Sequence, residues 1–385
     1  MLIRKETILD RATALAGADD FGEPGYLAGL DALIAAIGED PALNESQRES
    51  VEQRLVMPAV KRLHLHQQRK IFPEIAAQRI IAPIIVIGLP RSGTTFLHAL
   101  LAQDPAARSP LAWQLSDLSS PPRQEDSEID PRIAAVDAAQ AMLPDAFKRM
   151  HLVGAKLPDE CNAITMLDFL SPNFDAGLDM PSYRKWFIAA DARAAYQTHH
   201  KVLQHLQAFT HGDHWVLKAP PHMFHMAALL NVYPDARIVF PHRDPAATIP
   251  SLTSLISTIR SWTYGNVNRA AVGAAQMEFW ATAIERIMDF RSAKNVSGRL
   301  FDLSYDDLIA APMESVAAIY AHFGLDLTPG AESAMRQFLD HRPKDHFGVH
   351  RYSLEEAGLS REAVHERFAP YIATYLGADS GRRKG

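Results

Sequence analysis

The sequence predicts an α/β protein whose mainly parallel sheet is flanked by helices, with helical additions at both ends. Three observations carry that expectation. Short apolar runs at 84–87, 215–217, 237–240 and 299–303 have the length and content of buried parallel strands. Stretches with helical spacing separate these runs, and strands alternating with helices favour a parallel sheet. Before the first strand, Val51, Leu55, Val56, Val60 and Leu63 recur at helical spacing. Residues 1–80 therefore read as a helical segment packing on an α/β core at 81–330, and residues 331–385 as a helical and loop extension.

The 385 residues are 47% hydrophobic and 22% charged, enough for one large core in an ordinary globular chain. The net charge of −6 offers no overall basic field for a nucleic-acid partner. Cys161 is the only cysteine, which leaves no intrachain disulfide framework and no Cys-based zinc site, and fits a reducing cytoplasm. Glu6, Asp10 and Arg11 interrupt any apolar core of a secretory leader. The longest apolar run, near residues 80–89, is far below the roughly 18 residues that span a bilayer.

Within the first 80 residues Pro58 should kink or break its helix. His64 and His66 are two apart, so on a helix they point to different faces. The run Ile84–Ile87 then meets Gly88, Pro90 and Gly93, which turn the chain. Phe96, Leu97, Leu100 and Leu101 resume at helical spacing. A strand, a glycine-bounded turn and a helix N-terminus make an anion cradle, because free backbone N–H groups and the positive end of the helix dipole converge there. The spacing Gly88-x4-Gly93 resembles a Walker A loop, so the sheet is expected to be P-loop-like. Thr94 stands where a nucleotide triphosphatase carries Lys, and the cation lies inside the loop as Arg91.

The polar, Pro-rich stretch 111–131 reads as a binding or mobile loop. A helix follows at 131–142. Pro158 and Asp159 form a turn, with Glu160 in the first turn of a helix running through Leu167. Residues 183–209 read as one long helix. Lys218 ends the second strand, and Pro220 and Pro221 turn the chain toward His222. Beyond the strand at 237–240, Asp244 is an N-cap with Pro245 at the first helical position. Further helices are expected at 267–290, 313–323 and 361–374, with a polar loop at 341–360 and a disordered tail near 379–385. The Gly88 loop, Lys218 and Arg243 all sit at carboxyl ends of strands, where parallel sheets bind ligands.

Arg243 and Ser251, eight residues apart across a helix start, offer a second anion site. A ligand with phosphates at both ends would use both this pair and the Gly88 loop. Together, GLPRSGTTFL at 88–97, IVFPHRDPAATIPSL at 238–252 and LSYDDLIAAP at 303–312 resemble the sulfotransferases that use 3′-phosphoadenosine 5′-phosphosulfate, and specifically a bacterial branch of that family. The resemblance covers roughly residues 84–325. It implies an α/β fold and transfer of a sulfuryl group to an acceptor hydroxyl or amine. The acceptor is expected to be small and apolar (a lipid, sterol or phenol), and no metal is expected. The resemblance places the 5′-phosphosulfate on Arg91, Ser92, Gly93, Thr94 and Thr95, the 3′-phosphate on Arg243 and Ser251, and Tyr305 near the adenine. Trp113 would lie near the acceptor.

Two departures leave the base open. In the cytosolic branch the loop cation is usually Lys, whereas here it is Arg91. There a Lys-x-His stretch supplies the base, but Pro220 stands at the His position here. Another branch uses a Glu after the loop helix, where this chain has Trp113-Gln114. Glu160 and His222 are the two candidates, with Lys218 and Arg91 as stabilisers of the leaving group. Met150, Met166, Phe169, Phe174, Trp186 and Trp262 could line an acceptor pocket or simply form core. A P-loop kinase-type phosphotransferase and a non-catalytic nucleotide-binding protein are the competing readings. Neither a Walker B strand ending in Asp nor a G-x-S-x-G or H-E-x-x-H motif is present.

Overall fold

A computed structural model of the chain describes residues 3–150, 152–341 and 353–377. Its centre is a five-stranded sheet: β1 (Ile84–Val86), β2 (Ala107–Arg108), β3 (His214–Lys218), β4 (Arg237–His242) and β5 (Leu300–Ser304), in spatial order β2-β3-β1-β4-β5. Every pairing is parallel. The expected α/β class is therefore correct. Four of the strands fall on the predicted apolar runs. The two-residue edge strand β2 carries no apolar run and was not expected.

The alternation of side chains sorts each strand onto two layers. Ile85, Ile87, Leu217, Ile238 and Phe240 join the larger core with Leu63, Leu203 and Ile249. Ile84, Val86, Val216 and Val239 join the other core with Leu97, Leu101, Val316 and Met335. Burial on both faces explains why these strands read as continuous apolar runs. From β1 the chain runs toward the β2 edge, and from β4 toward the β5 edge. The crevice between the carboxyl ends of β1 and β4 is therefore the switch point of the sheet, the usual ligand position in such folds.

The first helices are Lys5–Ala16, Tyr26–Gly38 and Glu45–Ile71. The third continues through Pro58, contrary to the expected break. Pro58 is itself buried, and buried Val56, Ala59 and Val60 around it hold the helix together despite one lost hydrogen bond. Arg62 fixes this helix to the core. Its buried guanidinium donates to the Phe21 and Glu23 carbonyls and to Thr198 Oγ1, and pairs with Asp168 at 3.0 Å. As their spacing predicts, His64 and His66 find different surroundings: His64 meets Asp117 at 3.1 Å, and His66 packs on Gly22.

The helix expected over 183–209 is two helices, Pro181–Ala189 and Arg193–Gln207. Ala190 is extended, and the Asp191 carboxylate accepts from the Arg193 N–H at 3.0 Å, restarting the chain. Asp244 caps the helix Pro245–Tyr264 by accepting from the Ala246 N–H, as predicted. No helix among the described residues is long and apolar enough to cross a membrane. The expected tail disorder at 379–385 and most of the polar loop at 341–360 lie outside the described residues.

Candidate active site

The turn after β1 takes an unusual backbone path. Gly88 has φ +129°, Arg91 +70° and Gly93 +87°. A Cβ at Gly88 would lie 3.0 Å from the Pro241 carbonyl oxygen, so only glycine lets the loop lie against the end of β4. Arg91 holds the left-handed region without that freedom, at a cost of about 1–2 kcal/mol. Buried Ser92 donates its hydroxyl to the Leu89 carbonyl at 2.7 Å and closes the turn. The helix Thr94–Leu101 follows, with Gly93 as its N-cap and no side chain capping it. The helix N-terminus and the positive end of its dipole therefore lie at the crevice.

The two sequence motifs meet directly. Arg91 Nε donates to Ser251 Oγ at 3.1 Å, and its Nη1 donates to the Met150 carbonyl at 2.9 Å. Arg243 Nη1 donates to the Arg91 carbonyl at 2.7 Å. The Arg243 guanidinium also stacks on Tyr305, 3.9 Å from the ring centroid. Gly93 leaves room for that ring, because a Cβ there would come within 3.0 Å of Tyr305 Cδ2. Arg91, Gly93, Arg243, Ser251 and Tyr305 thus form one connected surface. The sequence suggested two separated anion sites; the fold joins them through the Arg91 side chain.

At the carboxyl end of β3, Lys218 is only 2% exposed. Its Nζ donates to Thr95 Oγ1 at 3.2 Å and forms an ion pair with Glu160 Oε1. Glu160 lies just before the helix Asn162–Thr165 and outside its first turn, since Cys161 is the N-cap. Three contacts fix it there. Asn162 Nδ2 donates to Glu160 Oε2 at 2.8 Å, the Glu160 N–H donates to Asp159 Oδ1 at 2.7 Å, and the Cys161 N–H donates to the Lys218 carbonyl at 2.9 Å. Glu160 keeps 24% of its side chain exposed, so it reaches solvent while Lys218 does not.

His222 has different company. It is buried in the turn Pro220–Phe224, with Nδ1 2.7 Å from the Tyr196 hydroxyl. Burial pushes its pKa down to about 3. Trp113 is fully buried beneath the Arg132 guanidinium, 4.9 Å from the ring centroid. Phe169 and Phe174 stack in the core. No residue pattern points to Asn162 as a partner of Glu160, or to Met150 as a partner of Arg91. Both depend on where the 145–162 segment returns to the sheet.

A sequence model described as the sulfotransferase family matches residues 83–329, which spans β1 to β5 and every contact above. The chain belongs to the sulfotransferase family. The crystal structure of sulfotransferase STF1 from Mycobacterium tuberculosis H37Rv is 32% identical, with a TM-score of 0.84 over 96% of this chain and 99% of that one. The crystal structure of STF9 from Mycobacterium avium is 30% identical, with a TM-score of 0.88 over 96% of each chain. A curated relative, omega-hydroxy-beta-dihydromenaquinone-9 sulfotransferase Stf3 of Mycobacterium bovis, is 22% identical over 80% of this chain and 79% of its own length. The chain is accordingly a transferase that takes a sulfuryl group from a donor cosubstrate.

Proposed function

We propose that the chain transfers the sulfuryl group of 3′-phosphoadenosine 5′-phosphosulfate to a hydroxyl on an apolar, lipid-like acceptor, with Glu160 as the base. The observation that carries this reading is the line Thr95–Lys218–Glu160, which joins the loop after β1 to a partly exposed carboxylate. The donor set suits a nucleotide with two anionic ends. N–H groups from Gly93 to Thr95 would hold the 5′-phosphosulfate, Arg243 and Ser251 the 3′-phosphate, and Tyr305 would lie against the adenine.

In the transfer step the acceptor oxygen forms a bond to sulfur as the bond from sulfur to the bridging phosphate oxygen breaks. Glu160 takes the acceptor proton, and Lys218 and Arg91 neutralise charge on the departing nucleotide. Arrival of an anionic donor gives Lys218 a second partner and loosens its hold on Glu160. His222 fits the base role less well, because a fully buried imidazole with a pKa near 3 is a weak proton acceptor.

The acceptor class rests on the apolar edge beside the loop and on Stf3, whose name specifies an omega-hydroxylated dihydromenaquinone. The Met150 carbonyl binds Arg91, and Phe147 from the same short helix meets half-exposed Trp262 edge-on at 5.4 Å. We place the reaction in the cytoplasm, consistent with one buried, reduced cysteine. The test supplies labelled donor with a lipid extract and with a hydroxylated isoprenoid. Label should enter an apolar product without added Mg²⁺. Transfer confined to water-soluble metabolites would overturn the acceptor class, and dependence on ATP and Mg²⁺ would overturn the donor.

A further inference from the structure

One residue behind Glu160 lies a buried cluster that the transfer chemistry does not use. Cys161, His199 and His222 are each buried, and the ligand atoms they offer lie within 4.8 Å of one another. Their positions come from three parts of the fold. Cys161 is held by its N–H on the Lys218 carbonyl, His199 lies on the helix Arg193–Gln207, and His222 lies in the turn after β3. No metal-ligand spacing links 161, 199 and 222 in the sequence.

Both imidazoles have the same hydrogen-bond pattern. His199 Nδ1 is 2.6 Å from the Tyr233 hydroxyl, and His222 Nδ1 is 2.7 Å from the Tyr196 hydroxyl. In each ring Nε2 is buried and has no hydrogen-bond partner. A buried side-chain nitrogen without a partner calls for an explanation, and these two belong to histidines gathered around one buried thiol. A hydroxyl on Nδ1 is the arrangement that orients a metal-binding histidine and leaves the Nε2 lone pair for the ion.

We propose that Cys161, His199 and His222 bind one thiophilic d¹⁰ cation, Zn²⁺ or Cu⁺. One thiolate and two imidazoles suit both ions. With metal–sulfur and metal–nitrogen bonds of about 2.3 and 2.0 Å, the ligand atoms would sit about 3.4–3.8 Å apart, so the cluster must close by about 1 Å. Cu⁺ with one thiolate is neutral, whereas Zn²⁺ leaves a single positive charge in the core and needs a fourth, anionic ligand. The ion would tie the segment carrying Glu160 to β3 and to the helix Arg193–Gln207. The earlier expectation of no metal rested on the single cysteine and on spacing, and the fold supplies what the spacing lacks.

The test expresses the full chain in medium supplemented with Zn²⁺ or with copper, and measures metal per purified chain by mass spectrometry. The proposal predicts about one equivalent of one of the two ions, lost at least tenfold in both Cys161→Ser and His199→Gln. X-ray absorption at the metal edge of the wild-type chain should show one sulfur and two nitrogen neighbours, a readout that does not depend on the variants folding. Substoichiometric metal under both conditions would overturn the site. Equal metal in the wild type and both variants, or an absorption edge without sulfur, would place the ion on other histidines and overturn it equally.

Discussion

Lys218 and Glu160 form an ion pair across which exposure changes abruptly, from 2% on the ammonium to 24% on the carboxylate. The cation is sealed against Thr95 at the start of the loop helix, and the carboxylate keeps access to solvent. An arrangement built only for stability would gain little from a partly exposed pair. In the proposed transfer the ammonium would neutralise the leaving group and the carboxylate would accept the proton. Lys218→Ala should therefore lower kcat by about 10²–10³-fold. The check is turnover at saturating donor, with a thermal melt to establish that the variant folds.

Arg91 spans both anion sites through Ser251 and its own carbonyl. Arg91→Ala should weaken binding of the 3′,5′-bisphosphate nucleotide by about 10–100-fold, the worth of one or two charge-assisted bonds. Ser251→Ala should cost less, about tenfold. Calorimetric titration of the nucleotide without Mg²⁺ measures both. Unchanged affinity in Arg91→Ala would mean that its bond to Ser251 is structural only.

Gly93→Ala should be harmful on two counts. The backbone there has φ +87°, and the new Cβ would meet the Tyr305 ring at 3.0 Å. A loss of about 1–2 kcal/mol in unfolding free energy is expected from the backbone alone. Nucleotide affinity should fall as well, because Tyr305 carries the Arg243 guanidinium. Gly298→Ala is the control: its Cβ would meet open space, and denaturant unfolding should show almost no change.

Asn162 positions Glu160 without lying in the loop. Asn162→Ala should lower kcat by about tenfold or more and leave donor affinity unchanged, since one hydrogen bond to a charged carboxylate is worth about 1.5–3 kcal/mol. A matching rise in the donor KM would contradict a positioning role.

Stability should fall on mild acidification. His98 and His205 are fully buried, and burial pushes their pKa values down to about 3 and about 4. The unfolded chain binds protons at these groups near the ordinary value of about 6.5, so between about pH 6.5 and 4 it holds more protons than the native state. Native stability is then full above about pH 6.5 and declines as pH falls through that window. Each group contributes up to about 1.4 kcal/mol per pH unit. Denaturant midpoints at pH 7, 6 and 5 should decrease in order. Replacing His98 or His205 with a non-titrating residue should flatten the slope.

Much of this architecture is written locally. The strands at β1, β3, β4 and β5 are buried on both faces and so appear as apolar runs, and the Gly88 turn and Asp244 cap carry their own residue signals. The break at Ala190 was missed because the helical spacing continues across it, and Asp191 looks like any surface acid until its bond to the Arg193 N–H is seen. Pro58 was misread because propensity alone cannot weigh the burial around it. Among the candidate site residues, Arg91 and Lys218 stand out by residue type and by position at strand ends, and Glu160 by being an acid directly after the Pro158-Asp159 turn. The Arg91–Ser251 bond, the Asn162 contact and the Cys161–His199–His222 cluster were not, since each joins segments that only tertiary packing brings together.

Glu160→Gln tests the central claim most directly, measured in single turnover with labelled donor and a hydroxylated isoprenoid acceptor. The substitution keeps the size of the side chain and removes its capacity to accept the proton. The predicted result is a fall in transfer rate of about 10²–10⁴-fold, with nucleotide binding by thermal shift unchanged. Transfer within a few-fold of the parent rate, at the same nucleotide affinity, would contradict Glu160 as the base.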